Sequence, residues 1–164
     1  MKRILVLLFL AITISGCEKD DICTDDTTPR LILEFYDISN PSILKPVVNL
    51  LVTGEGQTPL GTFNGVTKIE LPLDITNDTT KYSLTLSSTT STGANEDFLQ
   101  FNYTRQNVFV SRACGYKTIF ELNATPNGVV KTDALTADGF WIQDINILTT
   151  NIENENEIHI KIYF

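Results

Sequence analysis

Apolar and polar residues alternate along most of the chain after position 30, with the period of two that a strand with one buried face requires. The apolar members of the alternating runs are Leu31, Leu33 and Phe35; Val48, Leu50 and Val52; Ile69, Leu71 and Leu73; Tyr82, Leu84 and Leu86; Leu99, Phe101 and Tyr103; Val108 and Val110; Tyr116, Thr118, Phe120 and Leu122; Ile145 and Ile147; and Ile158, Ile160, Ile162 and Phe164. No segment keeps the 3.6-residue period of an amphipathic helix. The pattern therefore predicts roughly nine strands.

Turn-forming residues separate these runs. Asn64-Gly65 and Asn127-Gly128 are pairs that supply the positive φ of tight hairpin turns, and Asn40-Pro41 marks another break. Short strands with turn signals and no crossover helix are typical of an all-β fold. We expect an antiparallel two-layer β-sandwich, with a β-barrel as the alternative. Because the alternation continues to Phe164, the last strand is expected to lie within a sheet.

The beginning of the chain follows a different pattern. Lys2 and Arg3 precede an apolar run over residues 4–14, which small residues follow. This order is that of an export signal peptide. The run is too short to cross a hydrocarbon layer about 30 Å thick. We expect the segment to be removed and not to remain as an anchor.

The end of this segment, Ile14-Ser15-Gly16-Cys17, resembles the bacterial lipobox. The resemblance implies a diacylglycerol thioether on Cys17, cleavage after Gly16 and acylation of the new amine. Two or three acyl chains hold a protein durably on a membrane, whereas one chain binds only marginally. The alternative is an ordinary secretory signal with a cysteine at the cut.

The chain then divides into a signal peptide (residues 1–16), an acidic tether (17–29) and a single domain (30–164). Glu18-Lys19-Asp20-Asp21 resembles the export tag of Bacteroidota lipoproteins that reach the outer leaflet. We expect a lipid-anchored outer-membrane protein exposed at the surface, with the periplasmic leaflet as the alternative. The tether's aspartates lack the glycine-bearing loop and bidentate glutamate of a calcium site.

Composition narrows the classes of partner. A length of 164 residues suits one hydrophobic core, and 42% hydrophobic with 20% charged residues is typical of a folded globular chain. The net charge of -8 argues against nucleic acid as a partner, because that binding needs lysine and arginine to displace counterions.

The three cysteines fit an exported protein. If lipid occupies Cys17, Cys23 and Cys114 are the only intrachain pair left in an oxidising compartment. A metal or catalytic thiol is the competing interpretation, but one histidine and no second cysteine pair give no ligand set. The pattern favours a disulfide that closes a loop of about 90 residues, a constraint that contributes at most about 4–5 kcal/mol.

Several segments resemble an uncharacterised family of single-domain Bacteroidota lipoproteins. They are Thr28-Pro29-Arg30-Leu31, Phe35-Tyr36-Asp37, Asn40-Pro41, Lys45-Pro46-Val47 and Val110-Ser111-Arg112-Ala113-Cys114-Gly115-Tyr116. That family has no assigned activity, so the resemblance implies only lipidation, the disulfide and a single β domain. Asp26-Thr27-Thr28 and Asp78-Thr79-Thr80 also resemble the O-glycosylation sequon of that phylum, with Thr27 and Thr79 as the acceptors.

Four further residues carry candidate chemistry. Arg112 either binds an anionic ligand or pairs with a carboxylate across a sheet. Phe140 and Trp141 either form an aromatic platform for sugars or lie at the core, the position more common for a single tryptophan. His159, on the strand face opposite its isoleucine neighbours, is expected to face solvent.

The expected function is therefore a non-enzymatic binding or structural accessory role without a metal or other cofactor. No nucleotide loop is present, and a Ser-His-Asp triad would depend on the one histidine. The expected partners are the membrane, through the lipid, and another envelope protein or a glycan. The alternatives are a glycan-binding accessory lipoprotein and a hydrolase with a dispersed acidic site.

Overall fold

A computed structural model describes residue 23 and residues 27–87, 93–134 and 139–164. The predicted signal peptide, Cys17 and most of the predicted tether lie outside these residues. The described residues form twelve strands and no helix. The strands are β1 (Leu31–Asp37), β2 (Asn40–Leu44), β3 (Leu50–Gly54), β4 (Pro59–Phe63), β5 (Lys68–Leu71), β6 (Thr79–Ser87), β7 (Ala94–Ser111), β8 (Gly115–Leu122), β9 (Val129–Asp133), β10 (Asp144–Ile147), β11 (Asn151–Ile152) and β12 (Ile160–Tyr163).

The strands form two sheets that pack face to face, and neither sheet closes into a barrel. The first sheet has the order β10-β12-β1-β2, with β5 also paired to β1. The second has the order β11-β8-β7-β6-β3-β4, with β9 also paired to β7. The prediction of an all-β sandwich is confirmed.

The inward faces of both sheets supply the core, which follows most of the predicted alternation. Val48 and Tyr116 are exceptions: both are exposed, and Val47 is buried in place of Val48. Its fully buried members include Leu33, Phe35, Leu50, Leu84, Phe101 and Ile162. Each such side chain contributes about 1.5–3 kcal/mol when it leaves water. The core therefore accounts for the packing of the two sheets.

The structure differs from the predicted strand set in two ways: two predicted strands are one, and four strands were not predicted. The runs at Leu99–Tyr103 and Val108–Val110 belong to one continuous strand, β7, of 18 residues. Strands β2, β4, β9 and β11 were not predicted. Every residue of β2 is exposed, so no face of that strand needs to be apolar and its sequence shows no alternation.

One pairing departs from the antiparallel expectation. β12 runs parallel to β1, with Leu33 opposite Ile160, whereas the other paired strands are antiparallel. Beyond β12 the Phe164 N–H donates to the Tyr36 carbonyl at 3.1 Å. The last residues are thus held in the sheet, as predicted.

His159 does not face solvent, and that prediction is wrong. The residue is fully buried, its Nδ1 accepts the Ile32 N–H at 2.9 Å, and its own N–H donates to the Ile32 carbonyl at 3.2 Å. His159 precedes the strand and makes a side-chain bond in place of a ladder bond, so the alternation stops at Ile160. Burial lowers the pKa of His159, which favours the neutral ring.

Candidate functional site

The turn between β7 and β8 carries the disulfide. Cys23 and Cys114 are bridged, with their Cα atoms 4.8 Å apart, in agreement with the predicted pairing. The Thr28 hydroxyl accepts the Thr118 N–H at 3.0 Å, so the chain before β1 runs beside β8. These contacts place Cys23, the earliest described residue, at the end of the β7–β8 hairpin.

This end of the hairpin, residues 108–117, is called the hairpin tip below. Phe109 and Tyr116 lie opposite each other in register, and their ring centroids are 5.4 Å apart in an edge-to-face contact. The residues are 56% and 70% exposed. Phe109 lies on the same face of β7 as buried Tyr103, but this part of the face is exposed. Arg112 is also exposed, and it forms no ion pair with the described residues.

The opposite end of β7 lies near the predicted aromatic platform. Trp141 is only 8% exposed, its Nε1–H donates to the Leu84 carbonyl at 2.9 Å, and its ring stands edge-on to Phe164. Trp141 is therefore a core residue and presents no face to a ligand. Phe140 is 43% exposed, with the Lys131 ammonium 4.2 Å from its ring centroid.

Two carboxyl groups face each other at this same end. Asp97 on β7 lies opposite Asp133 on β9, and we call them the carboxylate pair. Asp97 is fully buried and its Oδ2 accepts the Ile142 N–H at 2.7 Å. The Oδ1 atoms of Asp97, Asp133 and nearby Asn95 have no hydrogen-bond partner among the described residues. Burial first, and the charge of Asp133 next, raise the pKa of Asp97.

The carboxylate pair was not predicted from the sequence, although a signal exists. Asp97 stands two residues before Leu99, so the alternation that buries Leu99 also turns Asp97 inward. Placing Asp97 opposite a second carboxyl group disfavours its charged form, because like charges repel. The described part of the chain contains no group of three or more His, Cys, Asp or Glu side chains placed to hold a metal ion.

A cleft of about 440 Å³ lies beside β6 and the turn before it. Its polar lining includes Glu55, Asp74, Asn77, Thr79 and Lys81. The Asp74 carboxylate accepts hydrogen bonds from Thr76 and Asn77, which hold its pKa far below the usual range. The carboxylate is therefore already used to shape its own turn.

The two predicted glycosylation sites differ in their surroundings. Thr79 is exposed at the start of β6 and its hydroxyl donates to Asn102 Oδ1 at 3.1 Å. Thr27 is also exposed, and Asp26 beside it lies outside the described residues. Glycosylation at Thr27 and Thr79 stays a prediction.

The family follows from a comparison with known sequences. Residues 49–164 match a family model described as a family of unknown function, DUF6452. The chain belongs to this family. The DUF6452 match contains the hairpin tip and the carboxylate pair, whereas β1, β2 and Cys23 precede it. No curated protein and no solved structure matches the chain. Within the described residues of this DUF6452 protein, no helix is long and apolar enough to cross a membrane.

Proposed function

We propose that this DUF6452 protein is a lipid-anchored, non-enzymatic binding or structural accessory module of the bacterial outer membrane, displayed at the cell surface. The observation that carries the proposal is the bridge between Cys23 and Cys114. A structural disulfide needs an oxidising compartment. The lipobox-like Cys17 stands only six residues before the bridged Cys23.

The buried titratable groups support a binding or structural role over catalysis, because they form hydrogen bonds with the backbone. His159 and Asp97 each accept a backbone N–H, from Ile32 and Ile142, and so fasten neighbouring segments. A hydrolase with a dispersed acidic site would need two carboxyl groups in an open cavity. Neither Asp97 nor Asp133 lines the cleft beside β6.

The position of the bridge also suggests which end meets a partner. An anchor that joins the chain near the hairpin tip leaves the other end of β7, with Phe140, farther from the membrane. Another envelope protein is the partner we favour at that end. A glycan is the second candidate, supported by the exposed ring of Phe140 but not by Trp141, which is buried.

The anchor is tested in cells that produce the protein or its Cys17→Ser variant. The native protein should carry acyl chains by mass spectrometry, fractionate with the outer membrane, and be cut by protease added to intact cells. The Cys17→Ser variant should fold but leave the membrane fraction. An unmodified sulfur on Cys17, or a variant that still fractionates with membranes, contradicts lipid anchoring. Protection of the lipidated protein in intact cells contradicts surface display.

The partner end is tested by photo-crosslinking from single positions in intact cells. A crosslinker at Phe140 should give a discrete product. One at Ile43 on β2, which is more accessible at 54% exposure against 43%, should not. The same pattern from both positions contradicts a partner at this end. A product that glycosidase treatment removes supports the glycan instead of the protein partner.

A further inference from the structure

The hairpin tip is tied close to the predicted lipid attachment point. Cys17 and Cys23 are six residues apart, and an extended chain spans at most about 3.6 Å per residue, or about 22 Å. The bridge adds only the 4.8 Å between the Cα atoms of Cys23 and Cys114. If Cys17 carries lipid, as the proposed function states, the tip cannot leave the neighbourhood of the bilayer surface.

The other end of the molecule is not held in this way. β7 is continuous from Ala94 to Ser111, so Phe109 and Asn95 are separated by 14 residues of one strand. At about 3.3 Å per residue this is roughly 46 Å. Asn95 donates to the Gly139 carbonyl at 2.6 Å, which places neighbouring Phe140 at the far end as well.

The chemistry of the tip suits a membrane interface. Tyr116 and Phe109 are the two most exposed large hydrophobic side chains of the described residues, and they lie together. Aromatic rings are enriched at the level of lipid headgroups, where one part of the ring contacts hydrocarbon and a polar part contacts water. Isolated exposed apolar residues are ordinary, but two rings in edge-to-face contact beside an anchor form a larger apolar surface.

Electrostatics favour ring insertion over attraction by charge. The chain is acidic, with a net charge of -8, and three of the four residues after Cys17 are acidic, with Lys19 as the one cation. Such a tether is not attracted to anionic headgroups, and the hairpin tip itself carries only two cations, Arg112 and Lys117. The surface that fits the hairpin tip is the polar–apolar boundary of a zwitterionic bilayer.

We propose that the hairpin tip rests in the headgroup layer of the membrane that holds the lipid, with the rings of Phe109 and Tyr116 as a second, non-covalent contact. This inference rests on the lipid anchor of the proposed function. Two attachment points, the acyl chains and the rings, restrict the tilt of the sandwich. The carboxylate pair and Phe140 then face away from the bilayer.

The test uses the purified, lipidated full chain in phosphatidylcholine vesicles that contain lipids brominated near the headgroup. Trp141 is the one native tryptophan, is buried, and lies at the far end, so the native protein supplies an unquenched background. The Phe109→Trp and Tyr116→Trp variants should show blue-shifted emission from the added ring and lose roughly half or more of its signal to the brominated lipids. Phe140→Trp is the matched control and should not be quenched.

The outcomes separate the two proposals. Mass spectrometry and flotation with the vesicles first establish the anchor for each variant, and thermal unfolding establishes the fold. Variants that float but are not quenched at positions 109 and 116 overturn the membrane contact and leave the anchor standing. Equal quenching at position 140 also overturns it, because the sandwich would then lie flat. A chain without lipid that does not float overturns both proposals. If the vesicles do not quench the Phe109→Trp ring but added envelope protein shifts its emission to the blue, the tip contacts a protein partner and the membrane contact is overturned.

Discussion

Asp97 is a buried residue that lowers the stability of the fold. One oxygen of its carboxyl group accepts the Ile142 N–H and the other has no partner among the described residues. Asp97 also lies opposite Asp133 on the neighbouring strand β9. A buried polar atom left without a hydrogen bond costs about 1–3 kcal/mol. The surrounding apolar core has to compensate for this cost.

We expect the Asp97→Asn variant to be more stable than the native protein at pH 7, by about 1 kcal/mol, or roughly 2–4 °C in Tm. The amide oxygen keeps the bond from Ile142, and the amide N–H supplies a donor to the unpaired oxygens of Asp133 and Asn95. Asp144→Asn, at an exposed carboxylate, is the control and should change Tm little. A lower Tm for Asp97→Asn at pH 7 contradicts the prediction.

The pH dependence of the same group has a definite sign. The pKa of Asp97 is raised above 3.8 in the folded protein, so the folded chain binds the proton more tightly than the unfolded chain does. The contribution of Asp97 to stability therefore increases as the pH falls from neutral through the raised pKa towards 3.8. Thermal unfolding from pH 7 to pH 4 should show this contribution in the native protein and lack it in the Asp97→Asn variant.

Glu155 shows the opposite behaviour. It accepts two hydrogen bonds from the Arg30 guanidinium, at 2.8 and 2.7 Å, and its pKa is lowered from 4.5 to about 2. Glu155→Gln should lower stability at pH 7 by less than about 1 kcal/mol, because the pair is partly exposed. The difference should vanish as the pH falls from about 4.5 towards 2, where native Glu155 also becomes neutral. Glu153→Gln is the matched control, and an equal effect from it would argue against a specific role for the Arg30 pair.

At the scale of the elements, local patterns predict what a strand buries but not what it pairs with. β1 and β6 were predicted because alternate residues enter the core. β2 was missed because both its faces are exposed, and the parallel pairing of β1 with β12 joins segments more than 120 residues apart, which no local pattern encodes. The sequence correctly favoured Trp141 as a core residue. The carboxylate pair could not be predicted in the same way, because it depends on the register between β7 and β9.

Gly128, in the turn between β8 and β9, is required for a different structural reason from the positive φ that the sequence predicts. Gly65 has the expected positive φ of 64°, but the φ of Gly128 is not positive. A Cβ atom on Gly128 would lie 2.2 Å from the Asn123 carbonyl oxygen. The glycine is therefore needed for a close approach of two backbone segments.

Gly128→Ala should accordingly destabilise the domain by about 1–3 kcal/mol, because the Asn123 backbone must move to admit the methyl group. The neighbouring Asn127→Ala, at an exposed side chain, should change stability by less than about 0.5 kcal/mol. Chemical denaturation of both variants measures the difference. Equal midpoints would show that the turn relaxes without cost.

At the scale of the whole molecule, the bridge between Cys23 and Cys114 joins the start of the domain to a hairpin in its second half. Removing a native disulfide from a small exported domain typically costs about 2–5 kcal/mol. Replacing both cysteines by serine should lower stability within this range, measured by denaturation without reductant. The native protein in reductant should match the variant, and a native midpoint that reductant does not change contradicts a stabilising bridge.

The parallel pair of β1 and β12 has a consequence for how the chain is made. β1 pairs with β2 and β5, which are near it in sequence, but it can pair with β12 only when residues 160–163 are available. Contacts this distant in sequence slow folding, because a long loop must close before they form. Until those residues are synthesised, the first sheet lacks the β12 strand that β1 and β10 both pair with.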